Sequence, residues 1–249
     1  MNASSAPVQY PLEIAGLSLS FGSIEVLRDV SIAIAPWEFV AVIGPSGCGK
    51  STLLNVLSGE VIPSSGLVSR YGQARMIYQH DGLFPWQTVT ENISLGLRSI
   101  ADHNERFRQL EELLELIQLH GFENHYPHQL SGGMRQRVEL ARALAGNSDV
   151  LLMDEPFSSL DYLTRLRMRD ELTRLLEDRP RTVVLVTHDI EEAAQLADRI
   201  IVLTDRPARI RREISIHSPR PRDLTDSVVV DTTRRILAEL DVDTLTEAK

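Results

Sequence analysis

Residues 39–52 read Phe39-Val40-Ala41-Val42-Ile43-Gly44-Pro45-Ser46-Gly47-Cys48-Gly49-Lys50-Ser51-Thr52. The first five are all apolar, too short a run for a helix and typical of a strand buried on both faces of a parallel sheet. Gly44 through Ser51 then follow the spacing Gly, four residues, Gly-Lys-Ser. Glycines let such a loop wrap closely around phosphates and present successive backbone amides. Lys50 supplies a point charge for the β- and γ-phosphates of a nucleotide, and the Ser51 hydroxyl is a ligand for Mg²⁺. Lys50–Ser58 reads as a helix, with Gly59 placed to end it. Strand, phosphate loop and helix in succession predict an α/β fold around ATP and Mg²⁺. The candidate nucleotide contacts are Gly44, Pro45, Ser46, Gly47, Cys48, Gly49, Lys50, Ser51 and Thr52.

A companion to this loop lies at residues 150–155, Val-Leu-Leu-Met-Asp-Glu. Four apolar residues make a buried strand ending in two carboxylates. Asp154 is a candidate for holding Mg²⁺ through water. Glu155 is a candidate general base that polarises an attacking water, a role worth roughly 10²–10⁴ in rate.

The rest of the chain alternates around these landmarks. Residues 1–11 read as a flexible tail with neither a basic start nor an apolar core, so no signal peptide is expected there. Leu12–Phe21 and Ile24–Ile34 alternate as strands. Residues 63–78 read as a turn and a strand pair, punctuated by Pro63, Gly66 and Gly72. Residues 80–147 change character. Phe107, Leu110, Leu113, Leu114 and Ile117 recur at a helical period within 105–119, and 134–145 is a second amphipathic helix. This block reads as an inserted helical subdomain. Strand-like runs return at 150–153, 182–187 and 199–203, separated by helices at 163–177 and 190–197, which implies a parallel sheet flanked by helices. Residues 206–249 read as a C-terminal extension with a helix at 232–240.

With 249 residues and 43% hydrophobic side chains, a sizeable core needs no disulfide, and the one cysteine, Cys48, could form none within the chain. The lone thiol fits a reducing cytosol. A net charge of −9 argues against a general nucleic-acid binder. No apolar run approaches the roughly 20 residues needed to span a bilayer, so any membrane role is expected to come through a partner. Cys48 sits at a helix N-terminus, where thiolates are favoured. The preferred reading is nevertheless a small filler with no chemistry, and alkylation is expected to block nucleotide binding by bulk.

A second glycine-rich turn follows at residues 130–137, Leu130-Ser131-Gly132-Gly133-Met134-Arg135-Gln136-Arg137. Ser131 is a good N-cap, and Gly132 and Gly133 leave the first amides of a helix uncovered. Such a helix start is suited to an anion. Arg135 and Arg137 read either as solvated helix residues or as specific contacts.

Together these residues resemble the ATP-binding-cassette (ABC) ATPases, over about residues 12–205. Residues 130–134 resemble the family signature. Gln79 falls where the family has its Q-loop glutamine, 159–161 (Ser-Leu-Asp) resemble the D-loop, His188 the switch histidine, and Phe21 the aromatic that stacks on adenine, although tyrosine is commoner there. The resemblance implies a P-loop NTPase of the ABC ATPase fold, with a mixed β-sheet core, an N-terminal antiparallel β part and the inserted helical subdomain. It also implies ATP hydrolysis by Glu155, His188 and Gln79, with Mg²⁺ held by Ser51, Gln79 and Asp154. Two copies would pair head to tail, so that ATP lies between one chain's phosphate loop and the other's Ser131, Gly132 and Gly133, with Asp161 linking the two sites.

Three further stretches narrow the branch: residues 82–92, 154–161 and 186–193, with 203–210 after them. They are most similar to nitrate/sulfonate/taurine-type importers. That likeness implies a separate transmembrane permease, a solute-binding protein reached indirectly, and a place on the cytoplasmic face of the inner membrane. Leu83, Phe84, Pro85 and Trp86 line the permease groove on this reading, or serve as core of the helical block. The stretch after residue 206 is too short for the regulatory barrel of sugar-type importers. Lipid-trafficking or export ATPases, and non-transport ABC proteins, remain the alternative classes.

Overall fold

A computed structural model of the chain describes residues 10–78 and 82–241. The alternating segments Leu12–Phe21 (β1) and Ile24–Ile34 (β2) pair as an antiparallel hairpin, and Ser65–Arg70 (β4) adds to the other side of β1. The fully apolar runs form a second sheet. Its order is Ala74–Ile77 (β5), Val150–Asp154 (β6), Thr182–Val186 (β7), Phe39–Ile43 (β3), Arg199–Leu203 (β8) and Ile210–Ser215 (β9). All neighbours are parallel except β9, which runs antiparallel to β8.

Every residue of β3, β6 and β7 is buried, as a sheet covered on both faces requires. The period of two then divides the core. Phe39, Ala41, Ile43, Leu151, Met153, Val183 and Leu185 face a layer that includes Ile93, Leu113, Val138 and Leu172. Val40, Val42, Leu152, Val184 and Val186 face the opposite way, onto Leu53, Leu54 and Leu57 of helix α1 (Lys50–Ser58) and onto Leu17 and Ile32 of the antiparallel sheet. Each such aliphatic side chain contributes about 1.5–3 kcal/mol by leaving water, so the sheet's position between the two layers is strongly determined.

Helices α2 (Val89–Gly96), α3 (His103–Ile117) and α4 (Gly132–Leu144), with a 3₁₀ turn at Pro127–Gln129, occupy the stretch read as a helical block. α2 carries little periodic signal in the sequence. Its apolar positions are few, and a capping box between Thr88 and Glu91 starts it instead. Helices α5 (Tyr162–Asp178) and α6 (Ile190–Leu196) complete the crossovers, and α7 (Ser227–Asp241) packs beside α6.

Two expectations need correction. The strand pair read in 63–78 is split, because β4 belongs to the antiparallel sheet and β5 to the parallel one. Gly72, at φ 87°, turns the chain between them, and the Gln73 amide donates to Asp149 Oδ2 at 2.7 Å to lead β5 alongside β6. The stretch after 206 is also more than an extension with one helix. β9 widens the main sheet, although Ile210–Ser215 shows no clean alternation; pairing with β8 makes it a strand. Helix α7 begins at Ser227, five residues before the expected start at 232.

Candidate functional site

Three adjacent parallel strands, β6, β7 and β3, deliver the candidate residues to one edge of the sheet. Asp154 lies opposite Val186, and Val42 opposite the same residue on the other side. The chain therefore leaves all three strands at one level, at their carboxyl ends, where open α/β sheets bind ligands. The phosphate loop emerges from β3, Asp154 and Glu155 from β6, and His188 from β7.

The loop is held from inside. Lys50 Nζ donates to the carbonyls of Gly44 at 2.8 Å and Pro45 at 2.9 Å. Gly49 is the N-cap of α1 at φ 124°, and no side chain caps the helix. A Cβ at Gly49 would come within 2.8 Å of Val26 Cγ1, so both conformation and space demand glycine. The first amides of α1 are thus left for an anion. Ser46, Gly47, Lys50, Ser51 and Thr52 form the floor of a cleft of about 410 Å³, with Phe21, Ile24 and Val26 as an apolar wall. Phe21 is 52% exposed at that wall, an available face for a flat ring.

Glu155 also lines the cleft. Its φ of 49° is left-handed, a backbone state costing about 1–2 kcal/mol for a non-glycine residue. The surroundings over-determine it. The Glu155 amide donates to Val186 O at 2.9 Å, and its carbonyl accepts from Gln136 Nε2 at 3.0 Å. His188 Nδ1 stands 3.1 Å from Glu155 Oε1. Asp154, at the end of β6, is buried. Gln79, the remaining candidate for catalysis and metal, lies outside the described residues.

The 130–137 turn is built as expected but sits elsewhere. Ser131 caps α4, its Oγ accepting from the Met134 amide at 3.3 Å. Gly133 packs on the turn before α5: a Cβ there would meet Leu160 Cδ2 at 3.2 Å and Ser159 O at 3.3 Å. Asp161 caps α5 by accepting from the Thr164 amide at 3.1 Å, and the Thr164 hydroxyl and amide together hold its carboxyl below the usual range. Among the described residues lining the phosphate-loop cleft, none comes from 130–137.

Arg135 and Arg137 are structural anchors. Arg135 Nη1 donates to Leu130 O at 2.8 Å, and Arg137 Nη1 to Ile117 O at 2.7 Å, tying α4 to the end of α3. Cys48 fits the reading of a small filler rather than a favoured thiolate. It is 1% exposed, and burial pushes its thiol above the ordinary value despite Lys50 nearby. Of the four apolar residues after Gln79, Leu83 joins the core, whereas Trp86 is 69% exposed and Phe84 41%. Phe84 and Trp86 lie against each other, with ring centroids 5.4 Å apart.

Two further residues take part. Gln136 ties the strand end to the turn after it, its Oε1 accepting from Ser159 N at 3.0 Å and Ser159 Oγ at 2.5 Å while its Nε2 holds Glu155. Arg206 lines the cleft and donates from Nη2 to Gly47 O at 2.5 Å. Neither carries a local spacing signal; only the tertiary fold brings residues 136 and 206 here.

Comparison with known proteins agrees with this geometry. Residues 27–158 match the family model described as ABC transporter. The chain is 45% identical over 222 residues to the aliphatic sulfonates import ATP-binding protein SsuB 1 of Rhodococcus jostii (strain RHA1), covering 87% of each. It is 40% identical to the taurine import ATP-binding protein TauB of Jannaschia sp. (strain CCS1), covering 81% of each. Among solved structures, it superposes on the dimeric post-hydrolysis state of the ATP-binding cassette MJ0796 bound to ADP and Pi. The TM-score is 0.73 and the identity 33%, over 84% of this chain and 100% of that one. A phosphate loop, a paired carboxylate strand end and a capped glycine turn, set on this sheet and matched along most of the chain, make this protein a member of the ABC transporter family.

Proposed function

We propose that the protein is the ATP-binding and ATP-hydrolysing subunit of an importer, acting as a head-to-tail pair of cassettes. The observation that carries this reading is the separation of two phosphate-facing turns. The cleft over Lys50 takes no wall from 130–137, although Ser131 and its glycines are shaped for an anion. A second copy, turned about, brings its Ser131, Gly132 and Gly133 to the first copy's nucleotide, and Asp161 then lies between the two sites. The dimeric ADP- and Pi-bound cassette supports this assembly.

The roles follow from chemistry at each position. Phe21 takes the adenine face, and the loop from Gly44 to Thr52 takes the phosphates. Ser51 in the first turn of α1 and Asp154 at the end of β6 offer hydroxyl and carboxylate oxygens, a donor set suited to a hard cation that keeps phosphate and water among its ligands. Mg²⁺ bound there, with Gln79 as a further ligand, supplies charge neutralisation at the phosphate oxygens. Glu155 accepts a proton from the attacking water, and His188 holds its carboxylate in place at 3.1 Å.

Among the described residues no helix is long and apolar enough to cross a membrane. We assign transport to a separate permease, with this subunit peripheral on the cytoplasmic face and a solute-binding protein engaged indirectly. Phe84 and Trp86 offer the permease an exposed aromatic patch. The sulfonate and taurine relatives support a small solute of the nitrate, sulfonate or taurine type.

Glu155→Gln tests the reading. Hydrolysis should fall by about 10²-fold or more, while the variant with ATP elutes as a dimer in gel filtration. Near-normal turnover, or a monomer with ATP bound, would contradict it.

A further inference from the structure

His188 is 63% exposed through its side chain, and its Nδ1 stands 3.1 Å from Glu155 Oε1. An exposed imidazole needs a rigid turn to be aimed, and the residues on either side supply one. Thr187 is 2% exposed. Its amide donates to Val42 O at 3.2 Å, which ties the turn to the strand feeding the phosphate loop. Its Oγ1 accepts from the Asp189 amide at 3.0 Å and donates to Glu192 Oε2 at 2.5 Å. Asp189 caps α6 by accepting from the Glu192 amide at 3.0 Å.

Helix α5 completes the bracing. Arg165 Nη1 donates to Asp189 Oδ2 at 3.0 Å, and Arg169 Nη2 to the same oxygen at 2.5 Å. Arg169 is 1% exposed and also lies 3.9 Å from Glu192 Oε2. An arginine buried to this depth is a poor stabiliser, since an apolar side chain of similar volume commonly does as well or better. Arg169 Nε and Glu192 Oε1 moreover find no hydrogen-bond partner within the described chain. The cluster is therefore incompletely satisfied as a packing device. Arg165 Nη2 also donates to Leu160 O at 3.2 Å, but the bonds of Arg165 Nη1, Arg169 Nη2 and Glu192 meet on Asp189 and Thr187, the residues flanking His188.

We propose that Arg169, with Arg165, acting through Asp189, and Glu192, acting through Thr187, are positioning residues that hold His188 against Glu155. The inference rests on the hydrolytic reading above. It adds an intramolecular path in which α5, begun by Asp161, sets the switch histidine of the same chain. The path also has a proton lever. Burial pushes the Glu192 carboxyl up to about 7, against Arg169, the Thr187 hydroxyl and Arg165, with Asp189 reinforcing the rise. Below that pH, Glu192 is neutral and is no longer an ionic acceptor for Thr187. Arg165 and Arg169 from α5 and Asp189 from its own turn are the charged groups that face it.

The test uses the full chain and the variants Arg169→Met, Thr187→Val and Glu192→Gln. Each should lower kcat for MgATP by about tenfold or more, as expected when a reacting group is displaced by an ångström or less, with KM unchanged. The kcat profile should lose an ionisation near pH 7 in Glu192→Gln. Independently of activity, the His188 ring resonance, assigned by its loss in His188→Ala, should shift in all three variants without nucleotide. Should Arg169→Met fail to fold, the near-isosteric Thr187→Val and Glu192→Gln decide. Wild-type kcat, pH profile and His188 resonance in those two would overturn the proposal. If the wild type itself hydrolyses no ATP, the hydrolytic reading fails, and the resonance alone decides the bracing: a shift supports it and an unmoved ring refutes it.

Discussion

The chain carries two glycine-rich turns that lead into helices, and they are finished to different degrees. The turn at 44–51 has its lysine folded back on two of its own carbonyls, an apolar wall from β1 and β2, and the Glu155 carboxylate from the end of β6, two strands away in the sheet. The turn at 130–137 has a capped helix start and little else facing it; its glycine at 133 is pressed onto the turn before α5. One is a binding cleft within a single chain. The other lies outside that cleft, mounted on the turn that leads to Asp161, and on the proposed reading it is half of a site. On that reading the nucleotide is contacted twice, once by one chain alone and once through a second copy.

The contrast can be broken most sharply by Ser131→Arg. A guanidinium on the open turn should abolish ATP-driven dimerisation, seen by gel filtration or light scattering, and leave nucleotide affinity of the monomer as it was. Loss of monomer binding would mean that 130–137 belongs to the same cleft after all. Lys50→Ala is the converse. It should weaken ATP binding by about 10–100-fold in calorimetry, equivalent to ~1.4–2.7 kcal/mol, because the cleft is complete in one chain. Gly133→Ala sharpens the comparison more gently. Alanine gains about 1 kcal/mol of helix propensity, which offsets a contact at 3.2 Å to Leu160 Cδ2 that must give by a few tenths of an ångström. Thermal stability should barely move, while hydrolysis falls through displacement of the turn at Ser159. The smallest effect is expected at Cys48. With the thiol buried and its pKa raised, the native protein should react with iodoacetamide far more slowly than the unfolded chain, and its ATP affinity should survive brief exposure. Rapid labelling would show that the phosphate loop opens.

The readable parts of the molecule were those governed by local rules. β3, β6 and β7 announced themselves as short apolar runs, and α1 ran from Lys50 to Ser58, with Gly59 at φ 92° to stop it. Ser131 starts α4 as an N-cap residue does, whereas the caps at Asp161 and Asp102 carry no such reading in the sequence. The illegible parts depend on what lies alongside. Ile210–Ser215 becomes a strand because β8 offers it a free edge. Residues 65–77 look like one pair of strands and serve two sheets. Cys48 carries a motif-level hint of reactivity that burial reverses.

The sequence by itself determined the chemistry at hand. Spacing alone brings a lysine, a hydroxyl and bare amides onto one turn, and an apolar strand fixes where its terminal carboxylates stand, because these are relations between near neighbours in the chain. Tertiary structure decided which groups meet. That Glu155 faces His188 across 33 residues of chain, that Gln136 and Arg206 brace loops they do not belong to, and that 130–137 stays out of the phosphate-loop cleft all follow from strand order and from helices packing on the two sheet faces. Those are long-range consequences of burying apolar surface, and no local pattern encodes them one by one.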